Sequence, residues 1–440
     1  MAQESPEILI VGGGIFGTST AYHLSLTHPD PSKITVLDRA PFPSPKAAST
    51  DINKIIRADY GVRFYMDLAF EAIDAWVSMP ILKDANVYHR TGWVYFDEEG
   101  SDLTDRIRKN FRESEREDET KDMTFEEAKK AWGGILSELD LSGFAKAYWN
   151  PMAGWADAAT AVEILMKEAV SRGVKYEVGE VDKLVLNETG VQGVQTTDGH
   201  CYTASKVLLA TGAWTSFLMS KTEDELSMPE KDRTEKQMTA AAVCCAHYKL
   251  TPEEMEYLHQ MPVVIYGGKE ILLPPTQSNW LKFTDTTSVT NTITLPSSGL
   301  KISVPPPGDQ TTTVPKRLQA ETLEIVRKLM PYYVRHNRKV EFYRLCWDSI
   351  SPTQHQLITR HPHPRLQNLY LAAAGSFHSW KFLPIIGKYV VNVLNDQSNG
   401  LEKDTAWAWK DAEGASGGRG AHEKVYPQRE LSVFEGSEGN

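Results

Sequence analysis

A chain that opens Ile8-Leu-Ile-Val-Gly12-Gly-Gly14-Ile-Phe-Gly17 has little freedom in what its first forty residues become. Residues 7 to 12 are a short β-branched run ending in glycine. Residues 15 to 27 carry helical spacing, with Ala21 and Leu24 on one face with Phe16 or Gly17. Ile34 to Leu37 reads as a second buried strand. Strand, glycine turn, helix and strand follow one another within about thirty residues, the length of a βαβ unit. In the Gly-x-Gly-x-x-Gly spacing, Gly12 permits the tight turn, Gly14 lets backbone approach a diphosphate, and Gly17 lets the helix lie close on the strand. Asp38 ends the second strand, where an acid accepts hydrogen bonds from ribose hydroxyls. The pattern specifies a dinucleotide site and leaves NAD and FAD both open.

At 440 residues the chain exceeds one compact core, so two intimately connected domains are expected. The net charge of −11 disfavours a nucleic acid or an anionic membrane as the main partner, because both reward clustered Lys and Arg. Four cysteines (Cys201, Cys244, Cys245, Cys346) are too few and too irregularly placed for a disulfide framework or a zinc site. A reducing compartment follows. The N-terminus lacks a secretory signal and the last residues are not an SKL-type ending, so the expected location is the cytosol.

Further along, a helix is expected from about Arg63 to Met79, and the charge-dense segment Asp97 to Lys130 reads as exposed helices with a start after Thr124. A second Rossmann-like half is expected from Ala158 to Trp214: a helix to Arg172, a strand at Val174 to Val178, a strand pair around Leu184 to Thr197, and the apolar strand from Lys206. Strand-like runs at Ala240 to Ala246, Val263 to Tyr266, Trp280 to Thr284 and Thr292 to Leu295, separated by Pro- and Ser-rich turns, indicate an inserted antiparallel sheet. Residues 301 to 315 read as a loop, and the tail from about 411 as mobile. The expected division is 1–60, 150–225 and 340–395 for the cofactor, 61–149 and 226–339 for the substrate, and 396–440 as a C-terminal extension.

Val207-Leu-Leu-Ala210-Thr211-Gly212-Ala213-Trp214 resembles the late strand and glycine turn by which FAD oxidoreductases return to the nucleotide. Joined to Lys54-Ile55-Ile56-Arg57, Leu345-Cys346-Trp347 and Gly375-Ser-Phe-His378-Ser-Trp-Lys381-Phe382-Leu-Pro384-x-x-Gly387, it makes the chain similar to the monomeric sarcosine oxidase and fructosyl amino acid oxidase (amadoriase) family over about residues 7 to 395. The resemblance implies an α/β fold, with a Rossmann-like FAD-binding domain and an interleaved substrate domain of antiparallel sheet and helices. It also implies oxidation of the C–N bond of a secondary amine, with electrons passing through FAD to oxygen as hydrogen peroxide, in a protein acting as a monomer.

Residue by residue, the resemblance makes Cys346 the cysteine that forms a thioether to the flavin ring; a partly deprotonated thiol is a competent nucleophile for that step. It makes Lys282 the lysine beside the flavin that assists reaction with oxygen by stabilising negative charge. Asn53 and Lys54 lie where relatives pass close to the ring, and Ile15, Phe16, Arg39, Ser49, Gly212, Trp214, Gly375, Lys381 and Phe382 are further expected cofactor contacts. Arg57 and Lys381 match the two cations that hold the substrate carboxylate, which loses water beside a flavin and needs charge-assisted partners. Departures bear on the substrate: Asp348 stands where sarcosine oxidase has an aromatic residue, Thr286 where relatives carry His or Glu, and His378 where some amadoriases place Arg. All three are expected to face the substrate, and neither sarcosine nor a fructosyl amino acid can be assumed.

Three classes of function are compatible with these residues. They are a broad N-substituted amino-acid oxidase (sarcosine, pipecolate, saccharopine or fructosyl amino acid type), a flavoenzyme of specialised metabolism that closes a ring by the same oxidation, and a non-catalytic nucleotide-binding protein. His355, His361 and His363 lie among prolines and read as a surface turn, with no metal site expected; Cys244 and Cys245 read as buried strand.

Overall fold

The computed structural model describes residues 6–308, 314–411 and 429–435. The opening unit forms as its glycines require: strand Ile8–Val11, helix Ile15–Thr27 and strand Ile34–Asp38, with Ile8 beside Ile34 and Val11 beside Leu37 in parallel register. Gly12 has φ +102°, and a Cβ there would lie 2.4 Å from the Ala210 carbonyl oxygen. A Cβ on Gly17 would lie 1.8 Å from the Gly12 carbonyl oxygen. Both contacts are with backbone, which cannot move aside cheaply.

This unit is the centre of a six-stranded sheet in the order Leu357–Arg360, Leu369–Ala373, Lys206–Leu209, Ile8–Val11, Ile34–Asp38, Lys175–Val178. All its pairs are parallel except the edge pair of Leu357–Arg360 with Leu369–Ala373. Helix Ile15–Thr27 packs on helices Ala158–Ser171 and Ile386–Leu394. A Cβ on Gly387 would meet the Ser19 carbonyl oxygen at 2.1 Å, so close helix approach is built into both partners.

A nine-stranded sheet carries Phe342–Ile350, Thr239–Lys249, Trp280–Thr290, Glu270–Leu273, Val263–Tyr266, Trp93–Glu98, Phe144–Asn150 and Lys121–Met123 in that order, with Arg429–Glu430 alongside Trp280–Thr290. It is not purely antiparallel as expected. Val263–Tyr266 runs parallel to Trp93–Glu98, because those strands are joined by a long excursion through the other sheet and no hairpin fixes their relative direction.

The helices at Arg63–Ser78 and Ala158–Ser171 form as expected, and Thr124 closes a capping box with Glu127. The helix Leu103–Glu113 is less exposed than its charge implied, since Ile107 and Phe111 are fully buried. Residues 301 to 315 are not all loop: Lys301–Ser303 pairs with Thr292–Thr294, and 309–313 lie outside the described residues. Of the tail expected to be mobile, 412–428 and 436–440 lie outside the described residues. Arg429–Glu435 is instead docked, with Leu431 and Phe434 buried against the nine-stranded sheet and helix Lys316–Leu329.

Replacing Gly17 by Ala is expected to cost about 1–3 kcal/mol, the range for overpacking, and to lower the flavin-to-protein ratio, because the Gly12 turn must shift. Denaturant unfolding and the visible spectrum check this; an unchanged midpoint with full flavin content contradicts it.

Candidate active site

A cavity of about 450 Å³ runs from the glycine turn to one face of the nine-stranded sheet. Gly12, Gly14, Ile15, Phe16, Asp38 and Arg39 line one end, together with Gly212 and Trp214. A Cβ on Gly14 would meet only the Ser49 hydroxyl, at 3.1 Å, so the side that Gly14 leaves open is free for a ligand. The Ile15 N–H donates to Ser49 Oγ at 3.1 Å, and the helix start has no side-chain cap. Asp38 accepts from the N–H groups of Gly13 at 2.7 Å and Ala40 at 3.2 Å; lone pairs on both its oxygens remain for hydroxyls. Arg39 stacks on Trp214 at 4.2 Å and pairs with Glu180 at 3.7 Å. An open backbone cradle, a helix N-terminus whose N-cap residue Gly14 has no side chain, and a ribose-ready carboxylate in one cavity fit a dinucleotide.

The middle of the cavity is the sheet face. Strand alternation sends Val243 and Cys245, Lys282 and Thr284, and Ile271 and Leu273 to the same side, with Cys346 beside Val243. Over them crosses the segment 44–54, which brings Asp51. Its carboxylate accepts from Lys282 Nζ at 2.7 Å and from Lys54 Nζ at 2.9 Å, and lies 3.9 Å from His247 Nε2. Lys282 also donates to the Asn53 carbonyl at 2.7 Å, and Asn53 Nδ2 donates to the Pro274 carbonyl at 3.0 Å. Lys54 Nζ stands 3.7 Å from Cys346 Sγ.

Burial alone would raise Asp51, yet Lys282 and Lys54 hold it well below the ordinary carboxylate range. Burial would lower Lys54, and Asp51 outweighs it, leaving Lys54 raised. Cys245 is pushed up to about 11 by burial, with Lys282 opposing. Asp51 and Cys245 were not singled out in the sequence as site residues. Asp51 sits three residues before Lys54 with no motif around it, and Cys245 looks like any buried strand cysteine.

At the far end, the Arg57 guanidinium lies over the rings of Tyr60 (4.7 Å) and Trp93 (5.1 Å) and donates to the Asp59 carbonyl. Lys381 Nζ is buried and donates to Tyr60 Oη at 2.7 Å and the His378 carbonyl at 2.6 Å. Among the described residues neither cation forms a side-chain ion pair. Asp59, the nearest acid in sequence, gives its carboxylate to Tyr148 at 2.8 Å and Asn150 at 2.9 Å.

Several expected contacts serve the backbone instead. Asp348 lines the cavity, but its oxygens accept from the N–H groups of Ser349 at 2.8 Å and Phe377 at 2.9 Å. It thereby pins a turn in which Ala374, Ser376 and Phe377 all hold positive φ, a strained run for residues with a Cβ. Thr286 stands at the cavity wall, with its hydroxyl donating to the Lys269 carbonyl at 2.8 Å. His378 lines the cavity with its ring held by the Gln354 carbonyl at 2.9 Å and Tyr60 Oη at 3.3 Å. Burial, then Lys381, hold it well below the usual histidine value. Ser49, Asn53, Lys54 and Gly375 line the cavity as expected. Gly17 and Phe382 do not: Gly17 is packed beneath Gly12, and Phe382 is fully buried in the core beside Tyr65. The described residues hold no cluster of three His, Cys, Asp or Glu able to bind a metal.

Asp51→Asn leaves the buried Lys282 and the half-buried Lys54 ammonium groups without their carboxylate, so it is expected to cost about 3 kcal/mol, the lower end for breaking a buried pair, at neutral pH. A carboxylate depressed in the folded state contributes stability above its unfolded pKa and loses it as pH falls through its folded value. The deficit should therefore shrink below about pH 4. Denaturant unfolding of both proteins across pH checks this; equal stability at neutral pH contradicts it.

The chain matches the family model described as FAD dependent oxidoreductase over residues 7–393. It is 29% identical to L-saccharopine oxidase of Schizosaccharomyces pombe over 432 residues, 94% of this chain and 95% of that protein. It is 23% identical to monomeric sarcosine oxidase of Bacillus sp. (strain NS-129) over 400 residues, 87% of this chain and 91% of that protein. Among solved structures it is similar to the deglycating enzyme fructosamine oxidase from Aspergillus fumigatus (Amadoriase II), with a TM-score of 0.78, 27% identity, and coverage of 94% of this chain and 91% of that one. The glycine cradle, Asp38 and the paired sheets fit a dinucleotide, and the family match across nearly the whole length decides which: the chain belongs to the family of FAD-dependent oxidoreductases.

Proposed function

We propose that this protein oxidises the C–N bond of a secondary amine in an N-substituted amino acid, with oxygen reduced to hydrogen peroxide. The observation that carries this is that Arg57 and Lys381, neither of them ion-paired among the described residues, share one cavity with the dinucleotide cradle. Such a pair in a largely buried site calls for an anionic ligand. The relatives support the class, being named for saccharopine, sarcosine and fructosamine.

In this reading the segments 1–60, 150–225 and 340–395 hold FAD, as every strand of the six-stranded sheet falls within them, and 61–149 with 226–339 shape the substrate side. Gly12, Gly14 and the helix start at Ile15 and Phe16 receive the diphosphate, Asp38 the ribose, and Arg39 with Trp214 the adenine end. When bound, FAD supplies the two-electron acceptor for the substrate's C–H bond next to nitrogen. Two ammonium groups share the single carboxylate of Asp51, which leaves net positive charge at the sheet face. Lys54 places its share 3.7 Å from the sulfur of Cys346, the atom that forms the covalent link to the flavin in this reading. Lys282 places its share where it stabilises negative charge developing on oxygen. Arg57 and Lys381 orient the substrate carboxylate, and the imine product hydrolyses to a carbonyl compound and an amine. The protein works as a monomer in the cytosol, for which four free cysteines suit a reducing compartment.

A peroxide assay across sarcosine, pipecolate, saccharopine and a fructosyl amino acid tests the class: turnover of at least one is expected, and none from the whole panel overturns it. Acid precipitation should leave the flavin colour with the wild-type protein and release it from Cys346→Ser; colour released from the wild type contradicts the link. Lys282→Met should slow reoxidation by oxygen by about 10²–10³-fold, the scale for removing one stabilising charge or donor, while anaerobic flavin reduction changes little. Unchanged oxygen reactivity would remove Lys282 from that role.

A further inference from the structure

The hydrogen bonds around Lys381 fix where the protons lie. His378 Nε2 sits 2.9 Å from the Gln354 carbonyl, which only accepts, so Nε2 carries the ring proton and Nδ1 a lone pair. Tyr60 Oη, 3.3 Å from that Nδ1, therefore donates to it and accepts from Lys381 Nζ at 2.7 Å. The second acceptor for Nζ is the His378 carbonyl at 2.6 Å. A neutral amine has two N–H bonds and one lone pair, and the protein provides two acceptors. An ammonium has a third N–H, which finds no acceptor among the described residues.

The surrounding charges agree. Arg57, on the segment after strand Asn53–Ile56, is a like charge. The carboxylates of Asp59 and Asp348 are taken up by Tyr148 and Asn150 and by backbone N–H groups. Tyr65, on helix Arg63–Ser78, is bonded to His355 at 2.7 Å, and burial holds His355 down at about 4. Burial, then Arg57, hold Lys381 well below the ordinary lysine value.

We propose that Lys381 rests as a neutral amine and is the base that takes the proton from the substrate's ammonium group. This rests on the amine-oxidase reading above. An amino acid in solution is a zwitterion, and its ammonium has no lone pair with which to stabilise a developing imine. On binding, one N–H bond of the ammonium breaks with its electron pair staying on the substrate nitrogen, and the Nζ lone pair forms the new N–H bond. Charge is conserved within the site. The lysine that accepts the proton becomes the cation that holds the carboxylate one carbon away, so activation of the amine and capture of the acid are one event.

The test is a proton count on the holoenzyme with acetate, which carries the carboxylate and no amine. Calorimetry at about pH 8 in buffers of different ionisation enthalpy should show uptake of about one proton per site, with affinity falling about tenfold per pH unit. In Lys381→Arg, whose guanidinium stays charged, acetate should bind with no uptake. There, anaerobic bleaching of the flavin by a substrate amine should fall about tenfold for each pH unit below the amine's own pKa, against a flat wild-type profile. The wild-type count needs no variant. Uptake near zero, or no acetate binding, overturns the proposal, as does uptake that persists in Lys381→Arg, which would assign it to His378. Zero uptake with amines still bleaching the flavin removes the base and leaves the oxidase. Uptake with no amine bleaching it removes the oxidase reading and the base with it.

Discussion

The carboxylate of Asp51, shared between Lys54 and Lys282 at 2.9 and 2.7 Å, is the contact on which the rest of the site depends. It joins the segment leaving the dinucleotide unit to the face of the nine-stranded sheet, residues 231 apart in the chain. Burying Asp51 and Lys282, with Lys54 half-buried beside them, costs desolvation, and a hydrophobic trio of the same volume would often be at least as stable. The arrangement is better understood as placement. Each ammonium is held by a carboxylate that is itself held, through the Ile52 N–H at 2.7 Å, so neither lysine can swing away from the cavity. The segment is further clamped by Arg344, which donates to the carbonyls of Thr50 and Ala47.

What the sequence made legible was local. Gly12, Gly14, Gly17 and Asp38 act within one βαβ unit, so spacing alone places them, and the backbone clashes at Gly12 and Gly17 explain why no other residue serves. Asp51 and Tyr60 were illegible for the opposite reason: their roles come from Lys282 and from His378 and Lys381, hundreds of residues away, which no spacing encodes. Resemblance reached farther than spacing, bringing Cys346, Lys282, Arg57 and Lys381 into one cavity. It was less informative about side chains that can choose between a ligand and the backbone. Asp348, Thr286 and His378 all reach the cavity wall, and all are bonded to backbone groups. The antiparallel expectation for the second sheet failed at Val263–Tyr266, where strand direction is set by a long connection and not by a turn.

The two ends of the cavity follow one electrostatic logic. At the sheet, two cations share one anion; at the far wall, the Arg57 guanidinium has no ion-paired carboxylate among the described residues. Positive charge is thus concentrated where an anion is to be held or formed, in surroundings that screen it less than water does. Aromatic faces from Tyr60 and Trp93 hold the guanidinium of Arg57 without neutralising it, as a carboxylate would.

The central claim is that this cavity reads the carboxylate of an amino acid beside its flavin. Anaerobic bleaching rates for N-substituted amino acids, each paired with the same amine lacking the carboxylate, measure it most directly. The account predicts that the acid bleaches the flavin and that its carboxylate-free partner is slower by about 10² or more, the scale for leaving buried charged groups unpaired. Equal rates for the two would contradict it.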